Sequence, residues 1–276
     1  MRANLSGETF SGASFQGLAL PGGLLSSSTW IETDLTEALF TACDMDATDC
    51  RQAILNRADL TGVKADDARW SEAWMLGAVL AEVNLNGCLL KAIHGAESRW
   101  QDAQLNGCDL TGADLKNAAF HQAKIYDSVL ATAQMDGAQM LHARLQLSRL
   151  VGVQAVNANF GNAVIQDCDF SQALLAKSRF SRCDLSRSRF YKADLSECDL
   201  REAKLNGCDL SRSNLTDARL GNAQLCAADL RGANLRGAKE MTADQLAQAF
   251  TDSTTTLPNG TQGPFMKRSG AEKPMR

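Results

Sequence analysis

The chain has 276 residues, of which 45% are hydrophobic and 22% are charged, and its formal net charge is −4. The apolar content is enough for a substantial core, and the small net charge gives no reason to expect binding to nucleic acid or to an anionic membrane surface. No apolar run approaches the roughly 18 residues of a membrane span, and no signal-peptide pattern precedes the first repeat. The composition therefore predicts a cytoplasmic protein.

A five-residue repeat runs without insertion or deletion from Leu5 to Leu235. It is plainest over residues 181–235, which read SRCDL SRSRF YKADL SECDL REAKL NGCDL SRSNL TDARL GNAQL CAADL RGANL. The last residue of each unit, here called the centre, is Leu, Phe, Met, Trp or Ile at all but four positions, and the residue two before it is nearly always Ala, Ser, Cys, Val or Thr. Neither a helix nor a straight strand can turn all these residues to one side. The period therefore predicts a chain that turns a corner in each unit and returns above itself.

Three of the irregular centres are small residues that come one unit before an aromatic centre: Ala65, Gly95 and Ala155. Close packing requires such compensation, because volume removed at one corner makes room at the next. The fourth, Cys50, lies 20 residues from both Trp30 and Trp70. This order of large, small and large centres predicts that four units, or 20 residues, make one coil.

Several units match the consensus A(D/N)LXX of the pentapeptide-repeat proteins, and the chain resembles that family. The clearest matches have Leu195, Leu210, Leu230 and Leu235 as centres, preceded by AD, CD, AD and AN. The resemblance implies a right-handed quadrilateral β-helix with four pentapeptides per coil. The expected fold class is therefore an all-β solenoid of about 12 coils stacked at strand spacing. Family members do many different things on this scaffold, so the resemblance implies no single function.

The repeat region is predicted to span residues 1–240 and to end in a capping α-helix over residues 241–250. Glu240 is the first charged residue at a centre. Thr242 then has the character of an N-cap, and Gln245 completes a capping box three residues later. Such a cap is expected, because an open coil exposes core side chains and an unpaired strand edge.

Three apolar residues of the predicted helix are expected to cover the last coil: Leu246, Ala249 and Phe250. Residues 251–276 are polar and hold three of the four Pro of the chain. This segment is predicted to be a flexible tail, from which Leu257 or Phe265 could dock.

The N-terminal coil shows no matching cap. Its core positions are also the least regular, with Glu8, Leu18 and Gly23 where small residues are the rule. An uncapped coil presents an unpaired strand edge. We therefore expect this end to pair, either with a second copy of the chain in a homodimer or with a partner protein.

Seven of the nine Cys stand two residues before a centre: Cys43, Cys88, Cys108, Cys168, Cys183, Cys198 and Cys208. This placement predicts small core residues that stay reduced in a cytosolic protein. Cys88 and Cys108 lie one coil apart in the same column, close enough that a disulfide is the alternative.

The sequence carries no pattern that predicts catalysis. The three His (His94, His121 and His142) fall in different coils, and no nucleophile elbow or phosphate-binding glycine motif occurs. No CxxC pair suggests a metal site. We therefore predict a protein that is not an enzyme and needs no metal or cofactor.

Apolar residues at outward positions suggest a protein-binding surface. They are Leu39, Ile54, Trp74, Leu76, Val79 and Leu89. In a 20-residue coil Ile54 and Trp74 would stack on one face, and an exposed Trp in an apolar patch is typical of a partner-binding site. The alternative is that these are ordinary scattered surface residues.

Charge is also segregated along the chain. Residues 32–67 hold nine acidic and three basic side chains, whereas residues 177–192 hold six basic ones and Asp184. The basic band consists of Lys177, Arg179, Arg182, Arg187, Arg189 and Lys192. It could bind a phosphate-rich ligand or serve as a solvated band that maintains solubility, and the scarcity of outward aromatic residues disfavours nucleic acid.

These observations favour a non-enzymatic protein-interaction scaffold. Two alternatives rest on the family resemblance. One is mimicry of duplex DNA by a binder of DNA gyrase or another topoisomerase, although this chain is only weakly acidic and its basic band would repel a DNA-binding groove. The other is an accessory or effector-associated role in bacterial type VI secretion.

Overall fold

The computed structural model describes residues 2–274, and its contacts divide the chain into two compact units, Met1–Gln139 and Met140–Arg276. The sequence predicts one uninterrupted repeat over residues 1–240, and a division of this kind is compatible with such a repeat. The physical reason for the division lies in the repeat itself. In a solenoid each coil bonds only to adjacent coils, and no single core unites distant ones.

Parallel bridges between residues twenty apart build the first unit. Asn4 pairs with Leu24, and Leu24 pairs in turn with Asp44. The longest strands of this unit are β1 (Gln104–Asn106) and β2 (Lys124–Tyr126), which also pair in parallel. Four pentapeptides therefore make one coil, as the alternation of large and small centres predicts.

The second unit has the same construction. Strands β3 (Arg144–Gln146) and β4 (Val164–Gln166) pair in parallel, and bridges at the same spacing continue beyond them. Helix α1 (Ala243–Gln248) is the one α-helix among residues 2–274. Both units are thus β-solenoids of short strands that alternate with turns. No helix in the described part of the chain is long and apolar enough to cross a membrane.

Backbone hydrogen bonds to other backbone groups satisfy four of the five N–H groups in each five-residue repeat. The N–H of the centre and the N–H two residues later donate to the following coil, the N–H before the centre donates to the preceding coil, and the N–H three residues after the centre closes a turn onto the centre's own carbonyl. In the five-residue repeat centred on Leu55 these bonds measure 2.6, 2.9, 2.9 and 3.1 Å. This near-complete use of backbone donors is what a buried polar backbone requires.

The fifth N–H of each pentapeptide explains why Asp or Asn often stands directly before the centre. This N–H belongs to the residue after the centre, and it donates a hydrogen bond to the Asp or Asn side chain. The Thr36 N–H lies 3.0 Å from Asp34 Oδ1, and the Ser211 N–H lies 3.0 Å from Asp209 Oδ1. Asp and Asn are short enough to make this local bond. The consensus residue therefore completes the backbone bonding of the unit.

Each corner is turned by the residue two after a centre, which lies in the left-handed region of backbone space. Gly77 has a φ of 64°, but Glu72 and Lys177 adopt φ values of 61° and 63°. A side chain in this region costs on the order of 1 kcal/mol or more. The surrounding hydrogen bonds hold the corner in place despite that cost.

Centres and the residues two before them form the core. Trp30, Trp70 and Trp100 are fully buried, and their indole nitrogens donate to the side chains of Ser28, Thr48 and Ser98 at 2.7, 3.1 and 2.6 Å. Aromatic centres twenty residues apart stack, such as Phe160 on Phe180 with ring centroids 4.7 Å apart. The small residues beside the aromatic centres therefore also serve as hydrogen-bond acceptors.

The Cys residues of the core also make hydrogen bonds, which the sequence does not predict. Cys88 Sγ lies 2.7 Å from the Ala65 carbonyl, and Cys108 Sγ lies 2.5 Å from the Leu85 carbonyl. Both are free thiols. Burial raises the pKa of the Cys183 thiol to about 12. The thiols of Cys88 and Cys108 thus link their coils to the preceding coil.

Helix α1 begins as predicted but covers less than expected. Thr242 is its N-cap, and Gln245 completes a capping box. Leu246 is buried, whereas Phe250 is 58% exposed, so the expected contribution of Phe250 to the cap is wrong. Phe250 forms a parallel bridge with Asp229, an outward residue, and its side chain therefore faces outward as well.

The segment after α1 is the largest departure from expectation. Thr255 donates from Oγ1 to the Leu230 carbonyl at 3.0 Å, Thr256 bridges Asn234 in parallel, and Leu257 is only 3% exposed. These three residues repeat the pattern of small residue, outward residue and centre. The prediction of a flexible tail from residue 251 missed this further five-residue repeat, although it named Leu257 as a docking residue. The reason is that α1 and its connections break the five-residue register.

An antiparallel hairpin follows this last five-residue repeat. Thr256 also bridges Gln262, the Leu257 N–H donates to the Thr261 carbonyl at 2.8 Å, and the Gly263 N–H donates to the Thr255 carbonyl at 2.7 Å. Pairing of this kind occupies the strand edge that another chain could otherwise extend. The edge of the second unit is therefore covered on the face that contains Thr256.

Candidate partner-binding surfaces

Three outward side chains of the first unit form a ladder on one face. Ile54 bridges Trp74, and Trp74 bridges His94. Residues before a centre point outward, and a spacing of twenty residues places them one strand apart, about 4.8 Å. The Trp74 and His94 rings stack with centroids 3.9 Å apart and an interplanar angle of 19°. Trp74 is 48% exposed, whereas the other three Trp are fully buried.

A cavity of about 490 Å³ lies along this ladder. We name it the Trp74 groove, and its lining residues are Gln52, Glu72, Trp74, Ala92, Ile93, His94, Gly112, Asp114 and Gln134. Two of these residues are acidic, and none is Lys or Arg. At Gly112, an added Cβ would meet no atom within 4 Å. The groove is thus lined by aromatic and acidic side chains and is open at Gly112.

The acidic residues of the groove are held by neutral or weak contacts. Glu72 Oε2 accepts a hydrogen bond from Gln52 Nε2 at 2.8 Å. Asp114 Oδ1 accepts from the Lys116 backbone N–H at 3.3 Å, and the Lys116 ammonium lies 3.8 Å from Asp114 Oδ2. That ion pair is solvent-exposed, and pairs of this kind contribute little. Both carboxylates therefore remain available to a cation.

The other predicted apolar residues do not extend the ladder. Leu39 and Val79 lie in one neighbouring column, but Asp59 stands between them. Leu89 is 41% exposed and lies between Arg69 and Asp109 in another column. The predicted patch is thus divided by charged residues.

Leu76 directly follows the centre Met75 and is 45% exposed. Ile54 and Trp74 are therefore the two predicted members that the structure brings into direct register. His94 was missed as a member of the surface, although its spacing of twenty residues from Trp74 could have revealed it.

The basic band of the second unit is largely neutralised by carboxylates one coil away. Lys177 pairs with Glu197 at 3.8 Å, Arg182 with Glu202 at 3.1 Å, Arg187 with Asp167 at 2.7 Å and Arg189 with Asp209 at 3.2 Å. The hydrogen bond from Arg187 lowers the pKa of Asp167 below its usual value. Charge segregated along the sequence is therefore mixed in space, because residues twenty apart become neighbours.

The remaining members of the basic band are exposed. Arg179 forms backbone bridges with Asn159 and Asp199. Lys192 lies 5.2 Å from the Tyr191 ring, at cation–π distance. A second cavity, of about 410 Å³, lies beside Tyr191, but its lining balances Arg212 and Arg231 against Asp229 and Asp252. The charges in this region give no clear preference for a ligand of either sign.

No group of His, Cys, Asp and Glu in the described residues could hold a metal ion. His94 and His142 are exposed and His121 is half-buried, each in a different coil. The Trp74 groove is lined by no Ser, Thr, Cys, Lys or Tyr that could act as a nucleophile. The arrangement offers an aromatic and acidic surface to a partner.

The family model of pentapeptide repeats matches the chain in eight copies, over residues 33–69, 53–91, 96–125, 113–152, 156–191, 193–232 and 208–239. These matches cover well over half of the sequence. The chain belongs to the pentapeptide-repeat family. Its members are generally structural or interaction proteins rather than enzymes. A comparison with curated proteins gives no match.

Solved structures similar to this pentapeptide-repeat protein come from the same family. HetL, involved in heterocyst differentiation regulation in the cyanobacterium Nostoc sp. strain PCC 7120, is 21% identical, with 95% of this chain and 92% of HetL covered and a TM-score of 0.30. Full-length QnrB1, a plasmid-mediated fluoroquinolone resistance protein, is 17% identical, with coverage of 76% and 93% and a TM-score of 0.32. Rfr23 from the cyanobacterium Cyanothece 51142 is 18% identical, with coverage of 47% and 89% and a TM-score of 0.26. The repeat match, rather than these superpositions, establishes the family.

Proposed function

We propose that this protein is a non-enzymatic interaction scaffold of the cytoplasm and that the Trp74 groove is its partner-binding surface. One observation carries the proposal. Trp74 is the one exposed Trp of four, and it lies in a stacked ladder beside a cavity of about 490 Å³. Exposed Trp residues in concave surfaces are typical anchors of protein interfaces.

The scaffold that presents this groove is proposed to be a right-handed β-helix of about 12 coils. The number follows from the repeat region of the sequence at four units per coil. Membership of the family supports the proposed handedness. Buried, hydrogen-bonded thiols such as Cys88 and Cys108 suit a reducing compartment.

DNA mimicry is less well supported than protein binding. A mimic needs a continuous array of free carboxylates, but acidic residues of the first unit are paired with cations: Glu37 with Arg57, Asp46 with Lys64 and Asp49 with Arg51. No contact among the described residues favours the alternative of a secretion accessory.

Photo-crosslinking tests the binding surface. A benzoylphenylalanine residue replaces Trp74 in cells that make the protein, and a matched variant carries it at Leu89, which has similar exposure but charged neighbours. We expect a discrete protein adduct, sized by electrophoresis and identified by mass spectrometry, at position 74 and not at position 89. Equal labelling at both positions, or none at 74, would contradict the proposal.

We further propose that the first coil pairs with a second copy of the chain. Its core residues Leu5, Phe10, Phe15 and Leu20 are only half-buried, whereas Leu25 in the next coil is fully buried. Light-scattering mass of the purified protein tests this pairing. A dimer that becomes a monomer when residues 2–25 are deleted is the expected result, and a monomeric full-length chain would rule it out.

A further inference from the structure

We propose that the Trp74 groove accepts an arginine side chain from an exposed segment of the partner protein. This inference rests on the proposed function and adds the chemistry of the ligand. Its first support is charge. Glu72 and Asp114 line the groove, and no cation lines it. A groove of one sign attracts a ligand group of the opposite sign and disfavours anionic segments.

The second support is the orientation of the aromatic pair. Because the rings of Trp74 and His94 stack along the column, Trp74 covers one face of the imidazole. The other face points toward the next strand, where Asp114 bridges His94. A flat group that enters here can stack on His94 while its edge meets a carboxylate.

The third support is space. Gly112 lines the same cavity and has open space where a side chain would be. The guanidinium of arginine is planar, stacks on aromatic rings and offers paired N–H donors to a carboxylate. Lysine offers the charge without the plane. The geometry therefore favours arginine over lysine, and both over a neutral side chain of the same shape.

The Lys116 ammonium is the native competitor for Asp114. It lies 3.8 Å from Asp114 Oδ2 and also bonds to the Gln134 side chain. Its side chain is 41% exposed. An incoming guanidinium can displace this weak contact, since Lys116 keeps its bond to Gln134 or to water.

Three fluorescein-labelled peptides of equal length test the inference, with two arginines, two lysines or two citrullines among glycines. Citrulline has the shape of arginine without its charge. Fluorescence anisotropy measures binding, and acrylamide quenching of Trp74, the one exposed Trp, locates it. We expect the arginine peptide to bind at least about tenfold more tightly than the citrulline peptide, which corresponds to about 1.4 kcal/mol, with the lysine peptide between them.

Variants separate the groove from general electrostatics. Glu72→Gln combined with Asp114→Asn is expected to weaken the arginine peptide about fivefold or more, and His94→Ala is expected to remove the preference for arginine over lysine. Glu82→Gln, an exposed acidic residue outside the groove, is the matched control and should change nothing. Equal binding of the arginine and citrulline peptides, or an equal loss with Glu82→Gln, would overturn the inference.

The two proposals fail separately. If crosslinking at position 74 captures a partner but the peptides bind alike, the surface is correct and the arginine assignment is wrong. If the arginine peptide is selected but position 74 yields no adduct in cells, the groove binds guanidinium groups and the proposed function is wrong.

Discussion

The edge of the last coil, in the second unit, differs from the edge of the first coil, in the first unit, in how far later or earlier residues bury it. At the C-terminal end α1 buries Leu246, Leu257 supplies one more centre, and the hairpin through Gln262 occupies the strand edge at Thr256. In the N-terminal coil the centres Leu5 and Phe10 stay half-buried. A repeat can thus define an interior coil completely, but closing an edge requires residues that leave the repeat.

The largest expected effect comes from matched Leu→Ala substitutions at the two ends. Leu257→Ala should lower the free energy of unfolding by about 2 to 4 kcal/mol, because it leaves a cavity in a closed core. Leu5→Ala should cost about 1 kcal/mol or less, because Leu5 is already half-exposed. Urea unfolding, followed by circular dichroism, measures both. Equal losses would mean that the two ends are equally closed in solution.

Matched Gly→Ala substitutions at corners should give a smaller difference. Gly12 and Gly232 both have a φ of 70°, so each substitution should cost about 1 kcal/mol from backbone strain. A Cβ at Gly12 meets nothing within 4 Å, whereas one at Gly232 lies 3.2 Å from Arg212 Cγ. Gly232→Ala should therefore be the more destabilising, by a few tenths of a kcal/mol, in the same urea assay. The reverse order would argue that the C-terminal corner is the looser one.

Acid should weaken the second unit more than the first coil. Hydrogen bonds from Arg201 and Arg231 lower the pKa values of Asp199 and Asp229 below the usual range. Because the folded-state pKa is the lower one, this stabilisation is present above about pH 4 and is lost as pH falls through the folded values.

In the first coil the turn cap found among the described residues is Asn4, whose amide does not titrate, and the contact to a titrating group is the exposed hydrogen bond from Gln16 to Asp34, which lowers the pKa of Asp34. Hydrogen exchange compared at pH 5 and pH 3, corrected for intrinsic rates, should show lost protection around residues 199–231 and a smaller change, centred on Gln16, at residues 5–20. The effect should be modest, since these ion pairs face solvent. Uniform loss of protection in both regions would contradict it.

The sequence predicts the interior of this protein well, because one unbroken period specifies the centres, the small residues beside them and the 20-residue coil. The cap was predicted only in part. Thr242 and Gln245 form the expected box through local contacts. Leu257 was not recognised as a centre, because its placement depends on how far α1 advances the chain, which no local pattern states.

The candidate site was harder to predict than the fold. The neighbours of an outward residue in space are the residues twenty positions before and after it in the sequence. An apolar residue can therefore belong to a ladder, as Trp74 does, or stand alone between charged residues, as Leu89 does. The basic band shows the same limit, because its carboxylate partners lie a full coil away in sequence.

The regular bridges between residues twenty apart have a consequence for how such a surface can change over time. Within either compact unit, outward residues twenty apart in sequence are adjacent in one column. A binding surface that crosses four strands is therefore formed by four residues spread over about sixty positions of the sequence. Each of those residues can be exchanged without disturbing the core, whereas the gain or loss of a single residue would shift every later residue to another column. New specificity in this protein is therefore expected to arise by substitution, with insertions confined to the ends.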